Sequence, residues 1–337
     1  MLKFVRQRFR FIQPADAWVA LALLVLFTVR LSGAPLFDVD EGAFAQASRE
    51  MLASGDWGHT TLNGNDRFDK PIFIYWWQAA LMALLGTHDW VARLPSALAV
   101  LAACGAVWHF ATQHWGRETG RMAAFMLGTS LGLLAMGRAA TADGMLNALL
   151  IATGLSLWTF ASTGSRAALR WAYVWCALGL LTKGPVAVVV PGAALALWSL
   201  VSDRGRTLAR ALWEPKGWLL LLAIALPWYV YAWQRHGMAF IDGFFLKHNV
   251  QRFTATLEGH GGSALYYLLV LPLLVLPWSP LFVRVWLSWR DQFQDPLKRY
   301  LAIWMLFVLV FFSLSGTKLP HYMLYGVAPL VLLMAAQ

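Results

Sequence analysis

The stretch Ile72-Phe73-Ile74-Tyr75-Trp76-Trp77-Gln78-Ala79-Ala80-Leu81-Met82-Ala83-Leu84-Leu85-Gly86 decides how this chain is laid out. As a helix it would reach about 22 Å, short of the roughly 30 Å of hydrocarbon in a bilayer. Its start is aromatic, as suits a segment lying along an interface or re-entering it. Whether it crosses sets the side on which every later loop lies.

Around it the chain is a series of apolar runs of spanning length, read as crossings at 17–36, 94–113, 122–138, 145–161, 171–182, 185–201, 218–233, 264–282, 300–315 and 319–336. Hydrophobic residues make up 59% of the 337 and charged residues only 13%, and the apolar residues come in blocks rather than amphipathic stripes. The fold class is therefore an all-α polytopic membrane protein. A soluble globular chain would carry about a quarter of its residues as charges, and a membrane β-barrel would show period-two alternation.

Charge parity settles the 72–86 segment. If it does not cross, the stretches around Lys3–Arg10, Arg117–Arg121, Arg166–Arg170, Arg204–Lys216 and Arg284–Arg299 share one side, with 16 of the 27 basic residues and 6 of the 17 acids. The other side is then neutral, and the whole net charge of +10 is cytoplasmic, as the positive-inside rule requires. A crossing by 72–86 would swap the later basic loops. The residues from about 37 to 93 thus form a long first loop on the non-cytoplasmic side.

The same distribution removes nucleic acid as a partner, because the basic residues sit in short loops where anionic lipid headgroups account for them. The basic start followed by a long apolar run reads as an uncleaved anchor rather than a signal peptide. Cys104 and Cys176 fall in different predicted spans and read as apolar filler, with neither disulfide nor metal spacing. The chain stops at Gln337 at the end of an apolar run, so the reading is one transmembrane domain over 1–337 with no C-terminal periplasmic domain, a truncated or short version of something longer.

Asp40, Glu41, Asp69, Lys70, Asp143, Lys183, Lys247, His248, Arg252 and Lys318 all fall on the non-cytoplasmic side. Ionisable groups beside lipid are costly to hold. Acids combined with Lys and Arg are what transfer from a phosphorylated lipid requires: cations hold phosphate, and a carboxylate orients or deprotonates an acceptor. Each residue also has a structural alternative. Asp40 and Glu41 suit a helix N-terminus, Lys70 a snorkelling anchor, Asp143 a pair with Arg138, Lys183-Gly184-Pro185 a turn, and His248 a solvated loop. Asp69 and His248 together offer one carboxylate and one imidazole to a divalent metal.

Taken in order, Asp38-Val39-Asp40-Glu41-Gly42-Ala43-Phe44-Ala45-Gln46, Phe68-Asp69-Lys70-Pro71, Ala92-Arg93-Leu94-Pro95-Ser96-Ala97, Thr141-Ala142-Asp143, Leu181-Thr182-Lys183-Gly184-Pro185 and Lys318-Leu319-Pro320-His321-Tyr322 resemble the bacterial relatives of protein O-mannosyltransferases. The branch they most resemble is the lipid A aminoarabinose transferase type. The resemblance implies a GT-C-type helical bundle, with juxtamembrane helices in the first periplasmic loop, in the bacterial inner membrane. It further implies an inverting-type transferase that moves a sugar from a polyprenyl-phosphate donor to lipid A or another periplasmic acceptor. Asp40 and Asp143 match the catalytic acids. Lys70, Lys183 and Arg252 match or lie near positions that hold the carrier phosphate, and Glu41, His248, Lys318 and Tyr322 are counted with the substrate-binding set. Asp69 stands where the family usually has Glu, and Ile72 where it often has Pro. Three other readings stay open: a transporter of lipids or lipid-linked sugars, a protein O-mannosyltransferase-like enzyme, and a purely structural membrane subunit.

Overall fold

The computed structural model describes residues 13–37, 39–256 and 259–337, without the side chain of Asp291. The basic stretch Lys3–Arg10 and Asp38 lie outside them. The chain is helical almost throughout: α1 (Pro14–Thr28), α2 (Asp40–Ser54), α3 (Phe73–Leu85), α4 (Asp89–Trp115), α5 (Arg117–Thr129), α6 (Leu131–Gly137), α7 (Ala142–Thr163), α8 (Arg166–Lys183), α9 (Val186–Val201), α10 (Gly205–Leu212) and α11 (Pro215–His236). A π-helix (Ile241–Gln251) follows, then α12 (Tyr266–Leu274), α13 (Ser279–Leu287), α14 (Trp289–Gln294), α15 (Pro296–Leu314), a 3₁₀ helix (Pro320–Gly326) and α16 (Val327–Ala335). A two-residue hairpin, β1 (Thr61–Leu62) with β2 (Asn65–Asp66), is the sheet among the described residues.

The layout of the first loop can be read from its ends. Asp16 at the start of α1 pairs with Arg117 just beyond α4. At the opposite end, Arg93 in the first turns of α4 donates to the carbonyls of Leu31, Ala34 and Pro35 after α1, at 2.5, 2.8 and 2.9 Å. The helices α1 and α4 therefore run antiparallel with both ends matched, and everything between them returns to the level it left. The segment 72–86 forms the 13-residue α3 within that excursion.

Among the described residues four helices, α4, α7, α11 and α15, are long and apolar enough to cross a membrane. The other expected crossings are built from shorter pieces. The run 122–138 breaks at Ser130, where the Leu131 amide leaves the helix for the Leu276 carbonyl at 2.9 Å. The run 264–282 divides into α12 and α13, and 319–336 opens with the 3₁₀ helix. The first run, expected to reach residue 36, ends as a helix at Thr28. Arg138 then donates to the carbonyls of Leu26, Val29 and Arg30, satisfying acceptors that a helix end leaves open.

Burial inside the bundle is close-packed where helices cross. A Cβ on Gly154 would come within 2.3 Å of the Trp304 ring, so this glycine lets α7 and α15 approach. Outside, α11 exposes Leu219, Leu222, Leu226 and Trp233, an apolar face that suits lipid rather than water.

Candidate active site

The frame is set by Glu41. Its carboxylate is buried and accepts from four donors: Arg93 Nε at 2.8 Å and Nη2 at 2.7 Å, and the amides of Phe37 at 2.8 Å and Ala140 at 2.6 Å. Burial works against its charge, but Arg93 and the two amides outweigh it and hold the carboxyl below its ordinary value. Glu41 thus ties the start of α2 to α4 and to the turn before α7. One residue earlier, Asp40 points into an open chamber, and among the described residues its carboxylate accepts no hydrogen bond and forms no ion pair.

Asp143 lies in the first turn of α7 and is buried. Its Oδ1 receives Lys183 Nζ at 2.5 Å and the Tyr325 hydroxyl at 3.2 Å, with His321 Nε2 at 3.8 Å. The expected structural partner, Arg138, is spent on backbone carbonyls instead. Lys183 is delivered by a sharp end to α8: Gly184 has φ +83° and packs against Phe244, and Pro185 forbids continuation. The ammonium also stands over the rings of Tyr322 and Tyr325, at 5.2 and 5.8 Å.

Asp69 organises the second cluster. Lys70 Nζ lies 2.6 Å from Oδ1, Arg67 Nη2 3.0 Å from Oδ2, and His248 Nδ1 3.2 Å from Oδ1. Burial opposes its charge, yet Lys70, His248 and Arg67 hold the carboxyl far below its usual range. Burial pushes His248 down to about 4, so its ring is neutral at pH 7. Arg252 Nη1 reaches the Tyr322 hydroxyl at 3.5 Å.

These groups stand between two cavities. A polar chamber of about 710 Å³ is lined by Asp40, Arg67, Thr141, Asp143, His260 and His321, among others. An apolar groove of about 400 Å³ is lined by Val186, Val189, Phe244, Phe245, Phe311 and Phe312, with Tyr322 and Tyr325 at its polar end. Asp69, Lys70, Lys183, His248 and Arg252 line both, forming the wall the two spaces share.

Two residues expected at the site stand apart from it. Lys318 is buried, and its ammonium donates to the carbonyls of Ser313 at 2.9 Å and Ser315 at 2.7 Å, closing the end of α15. Glu41 is taken up by Arg93. Conversely, Arg67, His321 and Tyr325 belong to the cluster although they were not singled out. His321 sits inside the quoted Lys318–Tyr322 motif, and Arg67 lies two residues before Asp69.

For the metal expectation, Asp69 and His248 do come together, but Lys70 and Arg67 already neutralise that carboxylate. The pair supplies two of the three or four ligands that a protein zinc site uses. A divalent ion would have to displace Lys70 from Oδ1, so this donor set does not fit one.

The chain is similar to known proteins along most of its length. The family described as dolichyl-phosphate-mannose-protein mannosyltransferase matches residues 69–232. An undecaprenyl phosphate-alpha-4-amino-4-deoxy-L-arabinose arabinosyl transferase of Yersinia enterocolitica is 31% identical over 326 residues, covering 95% of this chain and 58% of that relative. The crystal structure of ArnT from Cupriavidus metallidurans bound to undecaprenyl phosphate superposes with a TM-score of 0.87 at 28% identity, over 95% of this chain and 59% of that one. The archaeal oligosaccharyltransferase AglB from Archaeoglobus fulgidus shares the fold at a TM-score of 0.61 and 12% identity. The chain therefore spans 58% of the length of the arabinosyl transferase, 59% of ArnT and 49% of the oligosaccharyltransferase. Over that shared part it is an ArnT-like, GT-C-type polytopic membrane protein related to the protein O-mannosyltransferases.

Proposed function

We propose that this chain carries the donor-binding and catalytic half of an inverting glycosyltransferase, which moves a sugar from a polyprenyl phosphate to a lipid A-like acceptor at the periplasmic face of the inner membrane. The observation that carries the proposal is the shared wall. A polyprenyl-phosphate sugar has an apolar tail, an anionic joint and a polar head, and here an apolar groove, a cationic wall and a polar chamber follow in that order. The named substrates of the aminoarabinose transferases it resembles have this build.

In this reading the phosphate sits at Lys70, Lys183 and Arg252. A lysine has three N–H donors. Lys70 uses two on Asp69, its carboxylate and its carbonyl, and Lys183 uses one on Asp143, so each retains a donor for phosphate. The bond from the anomeric carbon to phosphate oxygen breaks, its electrons leave on the phosphate, and the cations stabilise the developing dianion. The acceptor oxygen attacks the opposite face of that carbon. Asp40, an acid in the chamber that forms no ion pair among the described residues, takes the proton of a hydroxyl acceptor as general base or orients an acceptor that is already anionic. Asp143 acts by fixing Lys183.

The test is incubation of the purified chain with polyprenyl-phosphate-linked aminoarabinose and lipid A. Free polyprenyl phosphate formed together with glycosylated lipid A supports the reading. Flux of intact donor across proteoliposomes without cleavage would replace it with transport.

A further inference from the structure

Away from the shared wall, His59, Asp66 and His236 bring three ligand atoms within 4.8 Å of one another. His59 lies two residues before β1, Asp66 is the last residue of β2, and His236 is the last residue of α11. His59 Nε2 lies 2.9 Å from Asp66 Oδ1, and His236 Nδ1 lies 3.4 Å from Asp66 Oδ2. Ligands around a tetrahedral zinc ion at 2.0–2.1 Å stand roughly 3.3 Å apart; the two rings approach different oxygens of Asp66, and with one atom from each residue lying within 4.8 Å of the others, a bound ion draws them together by up to about 1.5 Å.

The arrangement is built before any ion arrives. Paired hydrogen bonds between Thr60 and Arg67, at 2.9 and 2.8 Å, close the base of the hairpin and fix the spacing of His59 and Asp66. His236 is held between the His59 ring at 4.4 Å and the Phe68 ring at 5.1 Å. The loop is already docked on α11 through Arg235 to Asp56 at 2.5 Å and the Trp228 indole to the Gly58 carbonyl at 3.0 Å.

Two imidazoles, whose side chains are only 10% and 11% exposed, share one carboxylate that is 54% exposed. Protonating both rings at that separation would set like charges against each other. One divalent cation instead uses a nitrogen lone pair from each ring and the carboxylate's charge, and the exposed Asp66 leaves a route for entry and room for a water in the fourth position. Among the described residues His236 Nε2 is buried without a hydrogen-bond partner, and it is the other nitrogen, Nδ1, that faces Asp66.

We propose that His59, Asp66 and His236 form a zinc-type divalent cation site, distinct from the donor-binding wall, that clamps the 59–66 hairpin to the end of α11. The clamp sits at the base of both segments that feed the wall. Residues 67–70 follow the hairpin directly, and the π-helix carrying His248 begins a few residues after His236.

The 337-residue chain, purified in detergent through a tag without histidine and stripped with chelator, is titrated with Zn²⁺ by calorimetry. One equivalent is expected to bind. His59→Gln, Asp66→Asn and His236→Gln should each weaken binding at least about tenfold, whereas His248→Gln leaves it unchanged. No binding by the wild-type chain, or loss in His248→Gln with no change in His59→Gln and His236→Gln, overturns the proposal. If a variant fails to fold, zinc-edge X-ray absorption of the wild-type complex decides: two imidazole ligands are expected, and one or none contradicts the site.

Discussion

Glu41 and Asp40 are adjacent in sequence, and replacing Glu41 by Gln separates a structural carboxylate from a substrate-binding one. Arg93 Nε and the Ala140 amide converge on Oε1, while Arg93 Nη2 and the Phe37 amide converge on Oε2. Whichever way a glutamine amide turns, its NH₂ faces one guanidinium donor and one backbone donor. The substitution therefore leaves a buried arginine without its counter-charge and one buried amide without an acceptor. Breaking a buried pair by removing one partner costs about 3–5 kcal/mol, and the orphaned amide falls within that range rather than adding a separate full penalty. At roughly 2 °C per kcal/mol for a chain of this size, the melting temperature should fall by about 6–10 °C. Thermal unfolding in detergent, followed by tryptophan fluorescence at fixed scan rate, reads the shift. Polyprenyl phosphate affinity, measured below the new transition, should stay within about twofold. A melting temperature within 2 °C of wild type combined with a large loss of carrier affinity would refute the structural assignment and return Glu41 to the substrate.

The same pair has a pH signature. Because the folded-state pKa of Glu41 lies below its unfolded value, the stability it supplies is present above about pH 4.5 and is lost as pH falls further; the acid-induced drop in melting temperature should be shallower in Glu41→Gln. Lys183→Met removes a phosphate donor and leaves Asp143 buried without its cation, so polyprenyl phosphate affinity should fall about 10- to 100-fold, the scale of a charge-assisted hydrogen bond; unchanged affinity in a calorimetric titration would remove Lys183 from the phosphate site. In a background lacking Cys104 and Cys176, Asn65→Cys and Thr87→Cys should both react with a thiol reagent that cannot cross the membrane, applied from the periplasmic side; protection of Thr87→Cys alone would mean that α3 crosses.

Periodicity made the helical, polytopic fold legible, because spanning length is a local quantity. Charge counting grouped Asp40, Asp69, Lys70, Asp143, Lys183, His248 and Arg252 as candidates, and all seven line the chamber and its wall. What was not legible depends on partners distant in sequence. The break at Ser130 exists because the Leu276 carbonyl, from another helix, captures the Leu131 amide. Lys318 was counted with the substrate-binding residues, but its ammonium is occupied by the carbonyls of Ser313 and Ser315. Asp40 and Glu41 differ by about 100° around one helix, which sends one into the chamber and the other to Arg93, and the sequence holds no marker of that rotation. His321 and Tyr325 follow the same logic, since the 3₁₀ helix turns them toward Asp143 from nearly 180 positions away.

The measurement that bears most directly on the proposed chemistry is the turnover of Asp40→Asn with polyprenyl-phosphate-linked aminoarabinose and lipid A, alongside its affinity for polyprenyl phosphate. Asparagine keeps the size of the side chain and caps a helix nearly as well as aspartate, so the fold should be preserved. Loss of a general base or of a transition-state charge lowers turnover by roughly a hundredfold or more. The account predicts that loss with carrier affinity unchanged, because the phosphate is held by Lys70, Lys183 and Arg252, and near wild-type turnover for the control Asp203→Asn. A folded Asp40→Asn protein that keeps most of its transfer activity would contradict it.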